Sequence, residues 1–229
     1  MSSNPVFLSQ LLAILAKDLR TEWRTREIFS SMFVFTVLVL VVFNFAMGAD
    51  PELMRPVAPG VLWVALLFAT VLGLQRTAQM ENEDDCLQGV LLSMGDRSAL
   101  FLAKTVANML YLLVVALCAL PIFSIWFRID IVSCVGALGL ALGLGMLGLS
   151  IVGTLFSMLT MHTRAREVML PLLFLPISVP LTIAAVYATT DVIAGKSVAD
   201  VTDYLTLMGV YDIVFLALAL LVFDYVIEE

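Results

Sequence analysis

Six apolar runs, five of them without a charge, follow one another along this chain, each long enough or nearly so to cross a bilayer. A spanning helix needs about 20 predominantly apolar residues. The runs Ile28–Met47, Val57–Leu74, Thr105–Phe127, Ile131–Met161, Val168–Thr190 and roughly Tyr204–Phe223 meet that condition. They consume most of the 229 residues and leave no room for a separate soluble domain. The fold class is therefore all-α, a polytopic membrane protein with six transmembrane helices. Composition agrees: 14% of residues are charged, against about a quarter in soluble domains, and the mean hydropathy is +1.05.

Orientation follows Lys and Arg in the loops, not net charge. Lys17, Arg20, Arg24, Arg26, Arg76, Arg97, Lys104, Arg164 and Arg166 fall on one side, and Arg55, Arg128 and Lys196 on the other. Nine against three places both termini in the cytoplasm. Lys17 is the first positive charge, so no basic segment precedes the first apolar residues as it does in a cleaved signal peptide. Before span one, Leu11, Leu15, Leu19 and Trp23 recur every four residues, with Lys17, Asp18, Arg20, Glu22 and Arg24 mostly off that stripe. The pattern predicts an N-terminal amphipathic helix. It lies in the cytoplasmic interface or packs on the protein's own spans, and joins span one through an elbow near Thr25–Ile28.

Little here suits catalysis. The net charge of −7 argues against nucleic acid. Cys86, Cys118 and Cys134 have no disulfide or zinc spacing and read as small buried hydrophobes. His162 is the only histidine, too little for a haem or metal site within the chain. Gly195-Lys196-Ser197 looks like the end of a phosphate-binding loop. The glycine such a loop requires five residues before Gly195 is Thr190, and the segment faces outward. Any ATP is therefore bound by another chain. The outward region Asp191–Asp203 reads as a short surface helix.

Three intramembrane features stand out. Gly139 and Gly143 form a G-x-x-x-G in span four, beside the small pair Ala141 and Gly145, which suits a helix or subunit seam. Span five carries Pro171, Pro176 and Pro180, each removing a helical hydrogen bond. Asp212, about two turns into span six, is a candidate intramembrane polar site.

The loop after span two holds four acids in five residues, Glu81-Asn82-Glu83-Asp84-Asp85, then the apolar stretch Leu87–Leu92. A polar turn followed by a short apolar helix on the cytoplasmic face could dock in a partner's groove, with the acids setting its orientation.

At the start of span two, Arg55-Pro56-Val57-Ala58-Pro59-Gly60-Val61-Leu62-Trp63-Val64-Ala65 resembles the CcmB family, the membrane subunit of an ABC-type complex in cytochrome c maturation. Leu102-Ala103-Lys104, Leu170-Pro171-Leu172 through Ile177-Ser178-Val179-Pro180-Leu181, and the ending Phe223-Asp224-Tyr225-Val226-Ile227-Glu228-Glu229 are similar to the same family. The sequence departs from it where members carry a D-G-S-L-E-like run. Here the glycine is Asp85 and the glutamate Gln88.

The resemblance implies an ABC-2-type permease, one domain over residues 1–229. Residues 1–27 form the elbow helix, 28–227 the six spans and 77–97 a cytoplasmic coupling loop. Glu81, Glu83, Asp84, Asp85, Leu87, Gln88 and Leu91 would meet a CcmA-like ATPase, and Pro59, Gly60 and Trp63 would set the start of span two. It implies a homodimer in the lipid of a bacterial inner membrane, working with CcmC-, CcmD- and CcmE-like proteins. ATP hydrolysis on the partner drives haem handling or export, or release of the haem-loaded chaperone. This chain itself is expected to bind no cofactor. Two other readings use the same build: an exporter of another hydrophobic or lipid-linked substrate, and a non-transporting scaffold for assembly factors.

Overall fold

In the computed structural model the described residues are 5–48, 51–83, 97–160 and 166–226. Among them the chain forms seven α-helices: α1 (Pro5–Thr25), α2 (Glu27–Ala46), α3 (Pro51–Glu83), α4 (Arg97–Phe127), α5 (Val135–Leu159), α6 (Arg166–Ile193) and α7 (Thr202–Val226). Helices α2 to α7 are each long and apolar enough to span a membrane. Alternation of six spans puts α1 and the end of α7 on one side of the bundle. The links 46–51, 127–135 and 193–202 lie on the other.

The helices overrun the apolar runs. Helix α3 begins at Pro51 and continues through Glu83, so residues 77–83 of the expected coupling loop are helical. Pro59 and Gly60 lie inside that helix, not at its start. A charged residue ends an apolar run without ending a helix, because Arg and Glu are good helix formers. The long fourth run is trimmed instead. Val132–Cys134 forms a 3-10 turn and the α-helix starts at Val135.

Helix α3 is the axis of the bundle, in contact with α2, α4, α5 and α6. Its Leu62, Trp63, Leu66 and Leu74 are buried in the main apolar cluster. Helix α7 packs chiefly on α5 and α6, and α2 on α3 and α4. Ile213, Val214, Leu218 and Leu221 on α7, with Val34, Leu38 and Val42 on α2, stay exposed. That is the arrangement lipid favours, since an outward Leu has nothing to escape from. Cys118 also faces outward and Cys134 is half-buried, which corrects the expectation of buried thiols. Polarity does not sort inside from outside in a bilayer.

Hydroxyls along the spans are mostly satisfied within their own helices. Thr36, Thr70, Thr77 and Thr182 donate to the carbonyls four residues earlier, those of Met32, Leu66, Gly73 and Ser178.

The outward link between α6 and α7 shows what Gly195-Lys196-Ser197 is for. Gly195 takes φ +88. The Gly195 and Lys196 amides donate back to the Val192 and Asp191 carbonyls, each at 3.0 Å. This is a Schellman helix end, which needs a residue free to adopt a left-handed conformation. Ser197 then caps the 3-10 turn Val198–Val201 in a reciprocal box with Asp200. The short surface helix expected there is this turn. Lys196 pairs with Asp191 at 2.9 Å, and the hydrogen bond and charge of Asp191 hold its ammonium above the usual lysine range.

Candidate functional site

The elbow is the first constructed feature of the face that carries α1. Arg26 adopts φ 56, ψ 21, so the backbone reverses between α1 and α2. This carries Glu22, buried on α1, under the start of α2. Its carboxylate accepts from the Phe29 amide at 2.8 Å and the Ile28 amide at 3.3 Å. An anion on unpaired amides at a helix start is favoured by hydrogen bonding and by the helix dipole.

Helix α1 packs on α4 through Ile14, Leu100 and Ala103. Lys104 on α4 pairs with Asp18 on α1 at 2.8 Å, both side chains nearly buried at 9% and 12% exposure. The four-residue stripe is only partly the buried face. A step of four residues advances about 40° beyond a full turn, so the stripe drifts across the helix. Leu15 and Leu19 still reach the core, whereas Trp23 is 82% exposed. Leu8, Leu12 and Trp23 are left as an outward apolar edge.

Beside the elbow, Arg76 on α3 pairs with Glu27 on α2 at 3.0 Å. The pair spans an open cleft of about 440 Å³ lined by Arg26, Ser30, Gln75 and Gln79 among others. A second cleft of about 690 Å³ is lined by Arg20, Trp23, Arg24 and Met80. The elbow, both clefts and the α3 terminus thus share one corner of the bundle.

Of the expected coupling residues, Glu81 and Glu83 fall on the last turn of α3. Asp84, Asp85, Leu87, Gln88 and Leu91, with Cys86 and His162, lie outside the described residues.

Deeper in the bundle, Trp63 is fully buried. Its indole nitrogen donates to the Thr189 hydroxyl on α6 at 2.9 Å. Its ring lies so close to Gly145 on α5 that any side chain there would collide with it. One residue therefore ties three helices. Close approach recurs at Gly148 against Leu181 and Asp212, at Gly153 against Leu74, and at Gly73 against Met32. Gly139 and Gly143 are not used this way, for a Cβ at either would meet nothing within 4 Å. The intramolecular seams fall on glycines other than the expected pair.

The proline-rich helix α6 is held from outside. Pro171 has no amide hydrogen to give the Glu167 carbonyl. Gln75 on α3 supplies a donor to that carbonyl at 3.0 Å. Further along, the Tyr211 hydroxyl on α7 donates to the Ile177 carbonyl at 2.8 Å, between Pro176 and Pro180.

Asp212 is 5% exposed. Among the described residues neither of its carboxylate oxygens has a hydrogen-bond partner. It faces Gly148 on α5 and Leu181 on α6. Among the described residues no group of three or more His, Cys, Asp or Glu comes together as a metal site would require.

Comparison with known proteins bears on the whole bundle. The sequence profile described as "CcmB protein" matches residues 9–228. The heme exporter protein B of Haemophilus influenzae is 30% identical over 174 residues, 76% of this chain and 78% of that one. The heme exporter protein B of Pseudomonas aeruginosa is 29% identical over 170 residues, 74% of this chain and 76% of that one. The protein of the same name from Escherichia coli K12 is 29% identical over 200 residues, 86% and 87% of the two chains. With a profile match that runs from α1 through α7, this chain belongs to the CcmB protein family.

Proposed function

We propose that this chain is the membrane-spanning subunit of a haem exporter that serves c-type cytochrome biogenesis, an ABC-type complex whose ATPase is a separate protein. The observation that carries this reading is a CcmB profile match over all six spans, together with relatives named heme exporter protein B that align over 74% to 86% of the chain. The chain supplies the membrane path or platform, and ATP is hydrolysed on a CcmA-like partner. The acidic segment from Glu81 to Leu91, whose first three residues end α3, is the ATPase contact. The conformational change then enters through α3 and drives haem handling, or release of a haem-loaded chaperone. CcmC-, CcmD- and CcmE-like proteins are the further partners, and two copies of this chain pair in the complex.

The orientation is both termini in the cytoplasm of a bacterial inner membrane. Its support is the excess of Lys and Arg at the α1 end. The exposed Leu8, Leu12 and Trp23 edge of α1, beside Arg20 and Arg24, suits a seat in that interface.

The test is purification of the tagged chain from its native membrane in mild detergent, with the co-purifying proteins identified by mass spectrometry. An ATPase together with haem-handling partners is the expected result. An ATPase without them would point to an exporter of another substrate. No ATPase would overturn the coupling role.

A further inference from the structure

Asp212 lies near the middle of its helix, away from both ends. Asp212 is the eleventh of the 25 residues of α7, counting from Thr202. Its neighbours Gly148 and Leu181 are also central, within α5 (Val135–Leu159) and α6 (Arg166–Ile193). Both of its oxygens are buried without a donor among the described residues. Gly148 belongs to the same construction, because any side chain there would occupy the space the carboxyl group fills. Ser178, one turn before Leu181 on α6, also has a buried hydroxyl without a partner.

Among the described residues no cation faces this group. Helix α5 carries no titratable residue from 135 to 159. On α6 the titratable side chains are Arg166 and Glu167 at the first turn, Asp191 in the last, and Tyr187, which stacks on Tyr204 of α7. On α4, which also touches α7, Lys104 pairs with Asp18, Arg97 stands at the helix start, and the other titratable residues, Tyr111 and Cys118, bear no cationic group. Asp200 in the adjoining turn accepts from Ser197. The sequence neighbour Tyr211 gives its hydroxyl hydrogen to Ile177.

An ionised carboxylate in such a place has lost its water and gained no counter-charge, which is the costliest state a carboxyl group can occupy. A metal ion would require several further oxygen ligands at the same point. A proton requires none.

We infer that Asp212 is an intramembrane proton-binding site at the seam of α5, α6 and α7. The packed seam holds the carboxylic acid. An arrangement that parts α5 from α7 and admits water releases the proton. By linkage, protonation stabilises the packed seam, and rising pH favours the parted one. This inference does not depend on what the complex exports.

Infrared spectroscopy of the full chain tests it, in a maltoside detergent that has no carbonyl of its own. At neutral pH the wild type is expected to show the carbonyl band of a protonated carboxyl group. That band should move when aspartate is labelled with carbon-13 and vanish in Asp212→Asn. If the Asn variant does not fold, Asp212→Glu replaces it. The band should then persist and lose its sensitivity to labelled aspartate. Raising the pH until the wild-type band disappears should increase amide exchange across residues 146–150, beyond the intrinsic rise with pH, and should leave Asp212→Asn unchanged. A neutral-pH spectrum without the labelled-aspartate band overturns the inference. So does a band that survives in Asp212→Asn, or exchange that ignores its loss.

Discussion

The Trp63 indole nitrogen and the Thr189 hydroxyl meet at 2.9 Å in a fully buried pair that joins α3 to α6. A polar contact between spans in this setting contributes about 0.6 kcal/mol on average and up to about 1.7. A double-mutant cycle of Trp63→Phe with Thr189→Val should return a coupling energy of that size. Unfolding in mixed maltoside and dodecyl sulfate micelles measures it. A coupling indistinguishable from zero would mean that ring packing alone holds the pair.

Gly145 and Gly139 share one helix and one residue type, yet should respond in opposite ways. A methyl group at Gly145 runs into the buried Trp63 ring. Overpacking of this kind costs about 1–3 kcal/mol. Gly139→Ala meets nothing and should leave stability equal or raise it by up to about 1 kcal/mol through the unfolded chain. Thermal stability of the two variants by size-exclusion chromatography separates them.

Glu22→Ala should expose the Ile28 and Phe29 amides. Loss of a cap costs about 1–2 kcal/mol. Exchange at those two amides should accelerate while the middle of α2 stays protected. Glu22→Gln keeps an acceptor and should recover part of the loss. Equal exchange in wild type and Glu22→Ala would show that the cap is not used in solution.

Lys104 and Asp18 form an ion pair almost out of water. Removing one partner of such a pair costs about 3–5 kcal/mol, because the other charge stays buried. Lys104→Met should therefore be worse than Lys104→Met combined with Asp18→Leu. The comparison is the yield of folded protein and its melting temperature. Additive losses would show that the two charges do not depend on each other.

Changing Glu83, Asp84 and Asp85 together to Ala should reduce the ATPase that co-purifies with the chain, without loss of membrane insertion. Unchanged recovery of the ATPase would remove the acidic segment from the coupling role.

The six spans are legible in the sequence because a bilayer leaves a chain few choices. A long run without charge forms a helix across it. Helix ends are less legible. Gln75–Glu83 is too polar to extend the apolar run that ends at Leu74, yet those residues continue α3 as helix. Rotation about each helix axis is least legible. Gly139, Gly143, Gly145 and Gly148 look alike on paper, and only the seat of Trp63 and Asp212 shows which of them are pressed. Glu22 reads as one charge among several, and its role appears only once the backbone reverses at Arg26. Asp212, by contrast, stands out at once, since a lone acid in an apolar run has no ordinary reason to be there.

Beyond Trp63, helix α3 has twenty further residues and no proline. That segment is about 30 Å of uninterrupted rod. That rod is fastened at more than one height: Trp63 sits between α5 and α6, Gly73 lies against Met32 of α2, Leu74 against Gly153 of α5, and Gln75 holds the Glu167 carbonyl of α6. Displacing the Glu83 end would therefore strain α2, α5 and α6 together.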